Sequence, residues 1–217
     1  IAPGSSILDA EVLSGPRLAS SLGYNLSWDS RRSGIVEDYF YLLRFGQDVA
    51  GLGGDAQFIK TEALAVAETK VLGGNITLRA EGEAGALVSF GGTSGVMDRY
   101  FLNGKMRGFQ PFGVGPRENG YPLGGNFYAV ARLEAEFPIG LPERLGIKGG
   151  AFVDVGSVWG LDNPGVVDDG FNMRAAAGLS LFWNSPIGPL RFNFSQALSK
   201  QSYDREQQFD LSISTRF

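Results

Sequence analysis

Neither cysteine nor histidine occurs anywhere in this 217-residue sequence. Without cysteine there is no disulfide framework and no thiolate metal site. Without histidine the Ser-His-Asp and Cys-His nucleophile arrangements, the HExxH zinc site and histidine general bases are all excluded. Basic excess is lacking too: the formal net charge is −4, the wrong sign for a nucleic-acid footprint. No window approaches the ~18 consecutive apolar residues that a membrane-crossing helix needs. The sequence begins at Ile1 rather than Met, with no basic-then-apolar leader. The expectation is that a signal peptide has been removed or that this is a piece of a longer chain.

What is abundant is glycine, 32 residues, and alternation. Gln208–Phe217 reads QFDLSISTRF. Phe209, Leu211, Ile213, Thr215 and Phe217 share one side, opposed by Asp210, Ser212, Ser214 and Arg216. Gly125–Phe137 sets Phe127, Ala129, Ala131, Leu133 and Ala135 against Asn126, Tyr128, Arg132, Glu134 and Glu136. Leu145–Trp159 opposes Ile147, Ala151, Val153 and Val155 to Lys148, Phe152 and Asp154. Phe171–Asn184 and Pro189–Leu198 alternate likewise, and Arg17–Asp29, Glu37–Val49, Asp55–Val71 and Ile76–Phe90 do so more weakly. Turn signals separate these segments at Arg31–Gly34, Gly51–Gly54, Gly73–Asn75, Pro138–Glu143 and Ser185–Pro189. The period predicts nine strands, with Ser6–Leu13 as the remnant of a tenth.

A soluble sandwich would bury the apolar faces and wet the polar ones. Here the apolar faces are light, built of Ala, Val and Leu with aromatics near the strand ends, and the polar faces carry both signs of charge at mid-strand. Several segments reach the length that a tilted membrane strand requires. Together these features predict an all-β, transmembrane antiparallel β-barrel facing lipid outside and a charged lumen inside. Bacterial single-chain barrels have even strand counts, so nine strands are expected to be the C-terminal part of a larger barrel. The expected division is 1–16 as an N-terminal remnant or partial strand and 17–217 as barrel, with a long loop at about 91–124.

That loop contains GKMRGFQPFGVGPRENG, Gly104–Gly120, in which Arg107 sits among Phe109 and Phe112. Met106-Arg107-Gly108-Phe109 is similar to the (V/I/L)RGF signature of the outer-membrane protein insertase and translocase barrels. The likeness continues through Gly115-Pro116, Pro122-Leu123-Gly124-Gly125-Asn126 and Glu134-Ala135-Glu136-Phe137-Pro138. It takes in FVDVGSVW at Phe152–Trp159, Ser185-Pro186-Ile187-Gly188-Pro189-Leu190-Arg191 and the terminal Phe217. A lone RGF arises by chance, whereas the ordered set is specific.

The resemblance implies a barrel of about sixteen strands in the bacterial cell outer membrane. It implies that the loop folds back into the lumen and that Arg107 meets acids on the next two strands, here Glu134 and Asp154. Alternation places both acids on the polar faces independently of the family. Gly108 is expected to let the loop backbone approach the wall, with Phe109 and Phe112 packing against Phe152 or Tyr128. The last strand, Phe209, Leu211, Ile213, Ser214 and Phe217, is implied to form one side of a seam, with Ser214 where many members have a kinking glycine. The implied function is insertion and folding of outer-membrane β-barrel proteins through that seam. Its partners are the lipid bilayer, unfolded client proteins and accessory lipoproteins gathered by upstream periplasmic domains. No cofactor, metal, nucleic acid or enzymatic chemistry is expected. The alternatives are a related secretion or translocation barrel, a passive porin-type channel, an outer-membrane hydrolase and a soluble sandwich.

Overall fold

A computed structural model describes residues 4–30, 39–51, 53–162, 165–186 and 188–213. The nine segments that the period marks as full strands all form strands. In chain order the elements are α1 (Ser6–Leu13), β1 (Ser21–Asp29), β2 (Tyr39–Ala50), β3 (Phe58–Val71), β4 (Ile76–Ser89), β5 (Arg117–Glu118) and β6 (Tyr121–Pro122). They continue with β7 (Phe127–Phe137), β8 (Ile147–Trp159), β9 (Arg174–Ser185), β10 (Gly188–Ser199) and β11 (Phe209–Ile213). Nine of these make one sheet in the order β1-β2-β3-β4-β7-β8-β9-β10-β11, every neighbour antiparallel. β5 and β6 form a separate two-stranded ribbon within the loop between β4 and β7.

The faces separate as alternation requires. Leu133 is 59% exposed and Leu179 is 63% exposed on the outer face, while Asp154, beside the outward-facing Val153, is 0% exposed. Phe127 stacks on Trp159 with centroids 6.0 Å apart, and Phe171 meets Trp159 edge-on at 4.8 Å. That outer aromatic cluster lies where β7 begins and β8 ends, as an interfacial girdle does. β3 and β4 reach 14 residues, long enough to cross a hydrocarbon layer at a steep tilt. Among the described residues no helix is long and apolar enough to cross a membrane.

The principal apolar core lies on the concave side, not between two sheets. Leu102, Met106, Phe109 and Val114 from the long loop pack with Phe58, Leu87, Tyr128, Val130, Val158 and Ala176 from the wall. The sequence predicts a charged lumen, and the concave side holds charged residues together with this apolar cluster, in which side chains of the loop pack on those that the wall itself turns inward.

The N-terminal prediction is corrected: Ser6–Leu13 is a helix, not a partial strand. Ser5 caps it, its hydroxyl accepting a hydrogen bond from the Leu8 N–H at 3.2 Å. Leu, Ala and Glu favour the helix, whereas the short apolar run resembled alternation. Ile7 then packs against Leu123 and Leu161. One turn on, Glu11 bonds Arg99 at 3.0 Å, so the helix is fastened to the loops by one face. The turn at Arg31–Gly34, Ile187 of the β9–β10 turn, and Ser214 and Phe217 lie outside the described residues.

Candidate functional site

The loop joining β4 to β7 runs from Phe90 to Asn126 and carries Arg107 into the concave side. Two glycines make the approach possible. Gly108 has φ +88°, and a Cβ there would stand 2.7 Å from the Cβ of Ala176 on β9. Only glycine combines that left-handed backbone with that proximity. On β9, Gly178 leaves room for the ring of Phe152, whose Cζ would be 2.6 Å from an added Cβ. The guanidinium carbon of Arg107 lies 3.6 Å from the Phe152 ring centroid, a stacked cation–π contact.

Asp154 on β8 receives three hydrogen bonds from one residue. The Arg107 backbone N–H donates to its Oδ2 at 2.9 Å, Nε donates to Oδ2 at 2.7 Å, and Nη2 donates to Oδ1 at 2.6 Å. The remaining guanidinium nitrogen, Nη1, donates to Glu134 on β7. The planar fork thus spans two acids on adjacent strands, a geometry that lysine's single ammonium does not reproduce. Burial opposes the guanidinium's charge, but the hydrogen bonds and attraction from Asp154, then Glu134, outweigh it. The Arg107 pKa therefore rises above its ordinary value.

A second ion network lies beside the first. Arg132 pairs in register with Asp154 across the β7–β8 ladder, yet its guanidinium turns the other way. It donates to Glu81 at 2.6 Å, to Glu83 at 3.1 Å and to the Lys105 carbonyl at 2.9 Å. Lys105 bonds Glu83, which also accepts from the Tyr128 hydroxyl at 2.9 Å. By serving the acids of β4, Arg132 leaves Asp154 to the loop arginine.

Arg107, Gly108, Glu134 and Asp154 are therefore brought together. Phe109 is buried in the loop–wall core that also contains Tyr128, while the ring of Phe152 holds Arg107. Phe112 is corrected: it is 46% exposed and packs edge-on against Phe101 at 5.1 Å, because its positive φ of 55° turns the chain at that point. On β11, Phe209 and Leu211 are each 48% exposed on the outer face, and Ile213 pairs with Leu190 of β10. Sequence reasoning missed Arg132, Lys105, Glu83 and Arg191. It also missed the fully buried pair of Arg174 with Asp204, where Nε and Nη2 donate to the carboxylate at 2.9 and 3.1 Å. Alternation placed Arg132, Arg174 and Arg191 on the inner face, but only strand register reveals the partners.

Elsewhere on the long loop, one acid holds the start of α1. Glu118 accepts from the hydroxyls of Ser5 at 2.6 Å and Ser6 at 2.5 Å, and from the Ile7 N–H at 3.1 Å. Those donors hold its carboxyl below the usual glutamate range. Among the described residues no cluster of acids is arranged to hold a metal ion.

A nine-stranded antiparallel wall, with large apolar side chains exposed on one face and an arginine-pinned loop held against the other, defines part of a membrane β-barrel. Residues 5–217 match the Omp85 superfamily domain, and the chain belongs to that superfamily. It is 33% identical over 207 residues to the outer membrane protein assembly factor BamA of Neorickettsia risticii (strain Illinois), covering 94% of this chain and 28% of that protein. It is 38% identical over 140 residues to the human sorting and assembly machinery component 50 homolog, covering 63% of this chain and 29% of that one. In fold it is similar to the crystal structure of BamA from Haemophilus ducreyi lacking POTRA domains 1–3. The TM-score there is 0.68 at 24% identity, over 89% of this chain and 41% of the other. This chain thus spans less than a third of the length of the two curated relatives.

Proposed function

We propose that this chain is the C-terminal barrel portion of a bacterial outer-membrane protein assembly factor, which folds and inserts β-barrel clients. The observation that carries the reading is the seating of Arg107 on Asp154 and Glu134 inside a wall of this superfamily. A porin-type constriction loop has no need of that tether. The assembly role is supported by the relatives' names. The bacterial compartment is supported by the match over 94% of the chain to the outer membrane protein assembly factor BamA of Neorickettsia risticii.

No bond chemistry enters this reading. An incoming strand pairs with an exposed strand edge, so its backbone groups are satisfied before they meet hydrocarbon. Among the described residues β11 borders β10 alone. It is the candidate seam edge. Upstream domains would gather the clients and accessory lipoproteins.

The test is reconstitution of the full-length protein into phospholipid vesicles with an urea-unfolded β-barrel client. Faster acquisition of the client's heat-resistant gel mobility, lost in Arg107→Ala, is the expected result. Steady ion conductance with no acceleration of folding would overturn assembly in favour of a passive channel. Client export without client insertion would point to a secretion barrel.

A further inference from the structure

Two sets of bonds connect the anchored loop to the last strand, and the second passes through Arg191. The first is backbone pairing. The residues entering β11 bend across the concave side, and Phe109 faces Glu206 in an antiparallel bridge. Gln207 N–H donates to the Gly108 carbonyl at 3.0 Å, Gln110 N–H to the Arg205 carbonyl at 2.9 Å, and Arg205 N–H to the Gly113 carbonyl at 2.9 Å. The loop segment right after Arg107 thus behaves as an extra internal strand laid on the entry to β11.

The second set is a side-chain relay. Glu134 accepts from Arg107 and also from Nη2 of Arg191 on β10. Arg191 reaches it by lying over the Phe182 ring of β9, 4.9 Å from the centroid. Its Nε donates to Asn193 Oδ1 at 2.9 Å, and Asn193 Nδ2 donates to Asp210 of β11 at 3.1 Å. Asn193 is 2% exposed, and Ser180 also donates to its Oδ1, at 2.8 Å. With both sites on Oδ1 filled, the amide's orientation is fixed and its NH2 must face Asp210. The relay runs Arg107, Glu134, Arg191, Asn193, Asp210, from loop tip to edge strand.

We propose that Arg191 is a positioning residue for the β11 edge, through which seating of the loop and placement of that edge become one coupled event. Its use in client insertion rests on the assembly reading, while the coupling rests on the contacts alone. When Arg107 leaves the wall, Glu134 loses one guanidinium and Gly108–Gly113 lose their seat, so both routes to β11 loosen together. A freed edge strand equally releases the loop, because coupling between two sites is reciprocal.

Hydrogen–deuterium exchange on the full-length protein in vesicles, with no client present, tests this. In Arg191→Met, exchange across 104–113 and across 205–213 is expected to rise together by about tenfold, with 58–89 unchanged. Arg191→Lys keeps a charge near Glu134 and should restore part of the protection in both segments at once. Arg107→Lys perturbs the relay from its other end and should give the same paired rise. A rise confined to the loop, or confined to β11, in Arg107→Lys overturns the coupling even where Arg191→Met loosens the whole wall. No rise in either segment in Arg191→Met overturns the role of Arg191. Since no client is present, failure here leaves the assembly reading intact, and failure of the insertion assay leaves the coupling intact.

Discussion

Arg107 and Asp154 stand 47 positions apart in sequence and meet through three hydrogen bonds from one residue to one carboxylate. Asp154 is fully buried, so the pair is a mutual obligation. Either charge alone in that site is worse than neither.

Arg107→Ala should therefore cost about 3–5 kcal/mol, the usual penalty for stranding one member of a buried pair. The check is the temperature at which the folded gel band disappears, measured beside the double variant Arg107→Ala/Asp154→Ala. The double variant is expected to be less destabilised than the two single losses added together. Strict additivity would mean that the two residues do not act as a pair.

Gly108→Ala places a methyl where Ala176 already is, on a backbone with φ +88°. A loss of about 1–3 kcal/mol is expected from overpacking and backbone strain. Adding Ala176→Gly removes the clash but not the strain, so it should recover only part of the loss in a thermal melt. Full recovery would assign the whole effect to crowding.

The docking of α1 depends on pH with a definite sign. The Glu118 carboxyl is held below its ordinary value near 4.5, so its contribution is fully present above that value. It is lost as pH falls through the depressed folded-state value. Amide exchange at Ile7 and Leu8 should accelerate in that acid range and be fast at all pH in Glu118→Gln. Acid-insensitive exchange in the unsubstituted chain would remove Glu118 from the role.

Arg174→Met leaves Asp204, itself fully enclosed, without its bidentate partner. A loss of about 3–5 kcal/mol is expected, with early proteolysis in the 200–208 loop as the local signature. A cut elsewhere first would place the weak point outside that loop.

Much of this was legible before any coordinates. The two-residue period located every strand of the sheet, because lipid on one side and lumen on the other impose the same alternation on each. It also set Glu134 and Asp154 inward, and the RGF resemblance then supplied Arg107. Partner choice was not legible. Arg132 and Asp154 are register neighbours, yet the acids of β4 claim Arg132. Helix α1 was missed because its short run mimics alternation and its cap, Ser5, draws strength from Glu118, more than a hundred residues away.

The bonds between the loop and the β11 entry also constrain the order in which the molecule matures. Arg205 donates to the Gly120 carbonyl, 85 positions away in sequence, and contacts of such long range form late in folding. The apolar side of the loop has no complete seat until nearly the whole wall stands. During biogenesis the channel should therefore stay hydrated until its final ribbon arrives, and stall there in chains truncated before Arg205.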